Sequence, residues 1–158
     1  MKLSNNGFNL IKGFEGLCLT AARNAAGIWR IGYGSTRYHD GKAVKPGDKL
    51  AAELQADALL RNTINEYEDN VVRLVNVRLT QNQFDALVSF VYDEGACVFQ
   101  NSILLAKLNE KNYYEAANCF LAGDKVTDSK TGKQTARDAI LQRRRKERAL
   151  FIAADVKN

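Results

Sequence analysis

Residues 50–75 most constrain how this chain can fold. Leu60, Ile64, Tyr67, Val71 and Leu74 recur at alternating spacings of four and three, the period of one apolar helix face. No glycine or proline interrupts the pattern. At about 1.5 Å per residue, such a helix extends close to ~40 Å, longer than one small lobe is wide. A chain of 158 residues can bury one good core, or one divided between two lobes. The long helix therefore predicts a rod that joins two lobes.

Caps and turns predict what lies on either side. A first helix is expected over residues 4–15, capped by Ser4 or Asn5 and closed by Gly16. Phe8, Ile11 and Glu15 share one of its faces. Residues 28–33 then alternate, with Trp29, Ile31 and Tyr33 on one side and Ile28 and Arg30 on the other. Gly27, Gly32 and Gly34 suit turns and close backbone approach. Asp40-Gly41 signals a hairpin turn, and Lys45-Pro46-Gly47-Asp48 a second turn.

The second half reads as helical. Thr80-Gln81-Asn82-Gln83 forms a capping box, followed by the apolar stripe Phe84, Leu87, Val88 and Val91 and a stop at Gly95. Ser102 caps a helix carrying Leu104, Leu105 and Leu108, and Tyr113, Ala116, Ala117 and Phe120 mark another. Residues 123–135 are polar and read as a loop. A final helix carries Arg143-Arg144-Arg145-Lys146-Glu147-Arg148 and Leu150. The chain shows no internal repeat and no domain-scale linker. The order predicts an α+β, mainly α fold in a single domain. It divides into an N-terminal helix and small antiparallel β-sheet lobe (1–50), a connecting helix (51–78) and a helical lobe (79–158).

Composition narrows the function classes. Hydrophobic residues at 46% and charged residues at 26% are ordinary for a soluble globular protein. No apolar run approaches the ~20 residues of a membrane span. Residues 1–7 are polar, without the apolar core of a signal peptide, so synthesis in the cytoplasm without an export address is expected. Cys18, Cys97 and Cys119 lie far apart and form no CxxC pair, which argues against a disulfide framework or a zinc site. They read as small buried or half-buried thiols. His39, the only histidine, falls in the polar stretch Arg37-Tyr38-His39-Asp40-Gly41 and reads as a solvated loop residue. A His-based triad, a metal centre and a cofactor are therefore not expected.

The net charge of +5 favours anionic partners such as cell envelopes, nucleic acid or acidic glycans. The basic run at residues 143–148 reads as a solvated face of the final helix. It lacks interleaved aromatics or a recognisable reading motif, which argues against a nucleic-acid site.

The candidate chemistry lies in Gly13-Phe14-Glu15-Gly16 and Gly27-Ile28-Trp29-Arg30-Ile31-Gly32-Tyr33-Gly34-Ser35-Thr36. These segments place one carboxylic acid at a helix end, just before a glycine-punctuated hairpin. Burial of a carboxyl disfavours its charged form and suits it to donate a proton. The alternative for Glu15 is a half-solvated boundary residue. Together with Leu79-Thr80-Gln81-Asn82-Gln83-Phe84-Asp85-Ala86-Leu87 and Arg143-Arg144-Arg145-Lys146-Glu147-Arg148-Ala149-Leu150-Phe151, these segments resemble the phage-type lysozyme family over nearly the whole chain.

The resemblance implies a lysozyme-like two-lobed fold and a monomer. It implies action on peptidoglycan glycan strands at the MurNAc–GlcNAc β-1,4 bond, at the bacterial cell wall after release from the host cytoplasm. It also makes residues 143–148 a structural feature. The family's catalytic pattern is a Glu, eight residues, an Asp or sometimes a Cys, five residues and a Thr. Laid on this chain, the Glu is Glu15, the Asp position is Asn24 and the Thr position is Arg30. Many members have a His where this chain has Ser35.

Two of these differences bear on chemistry. A two-carboxylate glycosidase needs one acid to protonate the leaving oxygen and a second carboxylate to activate water or stabilise positive charge on the sugar. Asn24 matches Asp in size but is neutral, though it could orient a water. Arg30 would fill the space a water uses, and a cation paired with Glu15 favours the ionised acid, which has no proton to give. Two readings stay open. One is a muramidase with impaired catalysis; the other is a non-catalytic peptidoglycan-binding or structural protein on the same fold.

Overall fold

The structure, a computed structural model, describes residues 1–122 and 134–155. Within them the chain forms seven helices and one two-stranded antiparallel sheet, the mainly helical α+β class expected from the sequence. In chain order these are α1 (Asn5–Glu15), β1 (Cys18–Arg23), β2 (Trp29–Gly32), α2 (Glu53–Leu74), α3 (Gln81–Glu94), α4 (Ala96–Gln100), α5 (Ile103–Asn109), α6 (Tyr113–Cys119) and α7 (Gln134–Ile152). The polar stretch expected as a loop lies outside the described residues, except that Gln134 and Thr135 begin α7. No helix is long and apolar enough to cross a membrane among the described residues. The chain divides into two compact units, one of Asn9–Tyr67 and one of Met1–Phe8 with Glu68–Asn158.

The Asn9–Tyr67 unit is built on the β1–β2 hairpin. α1 ends where Gly16 takes φ +69° and its amide bonds Lys12 O at 3.1 Å, a conformation that favours glycine. In the sheet, Ala22 faces Arg30 and Arg23 faces Trp29, with a bulge between Cys18 and Ala22. Ala21, Ile31, Val44 and Leu59 form one buried cluster of the unit, with Trp29, Tyr38 and Leu50 packed on it. Lys12 pins α1 to the start of α2, reaching Glu53 at 3.0 Å and Asp57 at 2.7 Å. Those carboxylates hold its ammonium well above the ordinary lysine range. Tyr33 completes the set: its ring lies 5.0 Å from the Lys12 nitrogen and its hydroxyl donates to Glu53 at 2.8 Å. The helix expected from residue 50 starts at Glu53, because Leu50 is drawn into an extended bond with Leu19 O at 2.7 Å.

The other unit centres on α3 and α7. The expected caps are present: Ser4 Oγ accepts from the amides of Asn6 and Gly7, Thr80 and Gln83 form a reciprocal box, and Ser102 Oγ accepts from Leu105. The stripe Phe84, Leu87, Val88 and Val91 is buried. Phe90 meets Phe120 edge-on at 5.6 Å, and Phe120 meets Phe151 at 5.4 Å. Two buried carboxylates hold the N-terminus. Asp85 accepts from the Ser4 amide and hydroxyl, and Glu68 accepts from the Leu3 amide at 2.7 Å and from Lys2 at 2.7 Å. Gly7 permits that approach, since a Cβ there would sit 2.6 Å from Leu3 Cδ1 and 2.7 Å from Asp85 Cγ.

Two sequence expectations fail here. Cys97 is exposed rather than buried or half-buried. The basic run is not a uniformly solvated face: Arg145 and Lys146 are exposed, but Arg143, Arg144 and Glu147 are buried. Glu147 accepts from Ser89 Oγ at 2.6 Å and Arg143 Nε at 3.2 Å, and lies 3.1 Å from Arg144 Nη1. Asp93 pairs with both arginines, and Arg144 lies over the Phe90 ring at 4.7 Å. The run is thus half interior, because α3 supplies the acids and hydroxyl that make burial tolerable.

Burial pushes the Glu147 carboxyl from its ordinary 4.5 up to about 7, against the pull of both guanidiniums and the Ser89 hydroxyl. Between these values the folded chain holds a proton that the unfolded chain has released. Stability from this group is therefore complete below pH ~4.5 and is lost as pH rises through ~7, by up to about 3 kcal/mol. Glu147→Gln cannot titrate, so its cost should shrink as pH rises from 5 to 8. Urea midpoints of both proteins across that range test this, and a cost that grows with pH contradicts it.

Candidate active site

Glu15 is the last residue of α1, on the face that also carries the buried Phe8 and Ile11. Its side chain is only 13% exposed. Of the two readings of this residue, the largely buried acid on an apolar face fits better than a solvated boundary position. Tyr67 of α2 lies within electrostatic reach. Burial chiefly, then the charges of Glu66 and Glu15, raises its phenol above the ordinary tyrosine range. The sequence showed Tyr67 only as one of a helix stripe; its nearness to Glu15 depends on how α1 and α2 pack, which no local pattern reveals.

Arg30 stands in β2 opposite Ala22, and its Nη1 lies 3.9 Å from Glu15 Oε2. The hairpin thus brings together the two residues that the sequence placed fifteen apart. At that separation the contact is an ion pair without a hydrogen bond, whose donor–acceptor distance is about 2.7–3.2 Å. The Arg30 side chain is 39% exposed, so solvent screens the pair and its contribution to stability is about 1 kcal/mol at most.

Asn24 does something the sequence did not suggest. Its Oδ1 accepts from the Ala26 amide at 3.0 Å and from the Ile28 amide at 3.0 Å. Its own amide bonds Ile28 O at 2.9 Å, and its carbonyl accepts from Gly27, which takes φ +78°. The side chain is a structural part of the β1–β2 turn, the local bonding at which Asn and Asp excel. The signal available in the sequence was an Asn three residues ahead of Gly27, just before the strand pattern of residues 28–33.

The other polar residues of this region are engaged elsewhere. Ser35 is 1% exposed and bonds Thr63 Oγ1 at 3.0 Å. Because Thr63 Oγ1 donates to Leu59 O, the Ser35 hydroxyl is the donor in that bond. His39 is exposed in its turn. Asp40 accepts from the Lys42 amide, and Asp48 accepts from the Lys45 amide and the Tyr38 hydroxyl. These bonds hold both carboxyls below the ordinary aspartate range. Among the described residues, no group of three or more His, Cys, Asp or Glu is placed to hold a metal. The site therefore comprises one shielded acid, a cation beside it, and an amide spent on the turn that precedes the cation.

Asn24→Ala should leave the Ala26 and Ile28 amides without their acceptor and cost about 1 kcal/mol, while Asn24→Asp, which offers the same oxygens, should stay within about 0.5 kcal/mol. Urea denaturation distinguishes them. Equal losses in the two variants would mean that the turn does not depend on this oxygen.

The sequence profile of the family described as Phage lysozyme matches residues 12–148. The chain is 40% identical over 153 residues to the endolysin of Salmonella phage P22, covering 97% of this chain and 99% of that one. It is 41% identical over 160 residues to the endolysin of Bacillus phage B103, of whose length it spans 57%. Among solved structures it resembles the crystal structure of a P22 lysozyme mutant, at 37% identity and a TM-score of 0.80 over 97% of this chain and 99% of that one. It also resembles the muramidase domain of SpmX from Asticaccaulis excentricus, at 33% identity and a TM-score of 0.79 over the same shares, 97% and 99%.

Proposed function

Because the chain belongs to the phage lysozyme family, we propose that it acts on the glycan strands of peptidoglycan at the MurNAc–GlcNAc β-1,4 bond, with slow hydrolysis. Glu15 is the acid that protonates the leaving oxygen. Its shielded place at the end of α1 suits that task. No second carboxylate stands at the position where the family pattern has Asp. Asn24 carries no charge to stabilise an oxocarbenium-like sugar or to take a proton from water. Loss of a positioned base costs ~10²–10⁴ in rate.

The observation that carries this reading is the pair of contacts made by the two departing residues. Arg30 stands 3.9 Å from Glu15, and the Asn24 oxygen is taken up by the amides of Ala26 and Ile28. That commitment also favours a second reading, a protein that binds the glycan of the cell wall without cutting it.

Reducing-end release from purified peptidoglycan tests both. The chain should turn over roughly 10²–10⁴ more slowly than relatives that keep the Glu, Asp and Thr pattern. Turnover at the relatives' rate, abolished by Glu15→Gln, would show that catalysis is intact. The double change Asn24→Asp with Arg30→Thr should raise the rate; no increase means that these positions do not limit it. Retained strand binding with no turnover dependent on Glu15 selects the second reading.

A further inference from the structure

We propose that Arg30 is a specificity residue that recognises a carboxylate on the glycan strand, so that the site selects acidic over neutral strands. The inference rests on the peptidoglycan reading above and goes beyond it in giving the cation a positive role. A guanidinium presents five N–H donors in a planar fork that matches a carboxylate through two parallel bonds. Here the fork has no hydrogen-bond partner among the described residues, and its one charged neighbour, Glu15, is 3.9 Å away.

Three other cations of the same unit are engaged. Lys12 is held by Glu53 and Asp57, Arg23 lies over the Trp29 ring at 5.3 Å, and Arg37 donates to Gly41 O at 2.9 Å. Arg30 differs from them in being fixed at its backbone and unfilled at its head. β2 pairing opposite Ala22 sets the strand, and the Asn24 turn sets the chain that leads into it. With its side chain 39% exposed, the head can meet an incoming anion without first crossing the interior.

In this structure Glu15 does not fill the fork: it is tethered at the end of α1 and lies 3.9 Å away, beyond hydrogen-bonding distance. A strand carboxylate has no such tether and can offer both oxygens in the plane of the fork. The ligand chemistry is thus a sugar polymer carrying carboxylates. Peptide-free strands of alternating GlcNAc and MurNAc supply it as the lactyl group on every second sugar. Chitohexaose, made of N-acetylglucosamine alone, is its neutral counterpart.

Calorimetric titration with three probes tests the proposal: peptide-free GlcNAc–MurNAc strands, the same strands with lactyl carboxylates converted to methylamides, and chitohexaose. The native chain should bind unmodified strands about tenfold more tightly than amidated ones, the gain of a charge-assisted bidentate contact discounted for solvent exposure. Arg30→Thr and Arg30→Gln should each bring that ratio close to one, and Arg30→Lys should keep part of it. Circular dichroism establishes that each variant is folded. Equal binding of unmodified and amidated strands by the native chain overturns the assignment, as does a preference that survives in both Arg30→Thr and Arg30→Gln. Binding to neither strand nor to chitohexaose overturns the peptidoglycan reading itself, and this assignment with it. Strand binding without charge preference leaves that reading standing and removes only the role of Arg30.

Discussion

Two backbone amides, those of Ala26 and Ile28, converge on one side-chain oxygen of Asn24, and the β1–β2 turn is built around that point. The turn's closing bond, from the Asn24 amide to Ile28 O, leads directly into the pairing of Arg23 with Trp29 and Ala22 with Arg30. A one-residue slip in an antiparallel pair sends every side chain to the opposite face. The Asn24 oxygen therefore helps decide which side of β2 Arg30 projects from, and so whether it meets Glu15. Chemistry and scaffold compete for the same atom. An aspartate here would accept the same amides while bringing a charge; an asparagine accepts them and brings none. The turn survives the exchange, and what is lost is electrostatic.

The two units use buried charge differently. In the helical unit, Glu147 is enclosed by Ser89, Arg143 and Arg144, with Asp93 joining from α3. Burial there is complete enough to outweigh the neighbouring cations and raise the acid. In the unit that carries Glu15, Lys12 is chelated by Glu53 and Asp57, and Arg30 makes only a long contact. Buried ion sets hold geometry because removing one partner strands another. A half-exposed pair at 3.9 Å holds nothing firmly. The tight sets fix the framework, and the loose pair does not.

Local signals in the sequence carried most of the fold. Ser4, Thr80 and Ser102 cap as their side-chain oxygens require, Gly16 and Gly95 stop their helices at positive φ, and the 4-3 repeat of Leu60, Ile64 and Val71 is buried. These features need only neighbours in the chain, so spacing reveals them. α2 starts three residues later than its apolar pattern suggests because Leu50 is claimed by Leu19, a contact no helical pattern contains. The basic run departs from its expected solvated face for the same reason on a larger scale. Charge density suggests solvent, but the partners that bury Arg143 and Arg144 are Ser89 and Asp93, some fifty residues earlier. At the site, the sequence supplied Glu15, Asn24 and Arg30 as names. It could not show that Asn24 is spent on its own turn, or that Tyr67 stands near the acid.

An acid catalyst and a carboxylate receptor make opposite demands on a neighbouring cation. An acid catalyst gains nothing from a cation that competes for the space beside it. For recognition, the same guanidinium is an asset, provided its donors are not already filled. The observed geometry lies between these limits: near enough to feel the acid, too far to bond it, and exposed enough to be reached. A strand carboxylate that occupied the fork would also neutralise the charge facing Glu15.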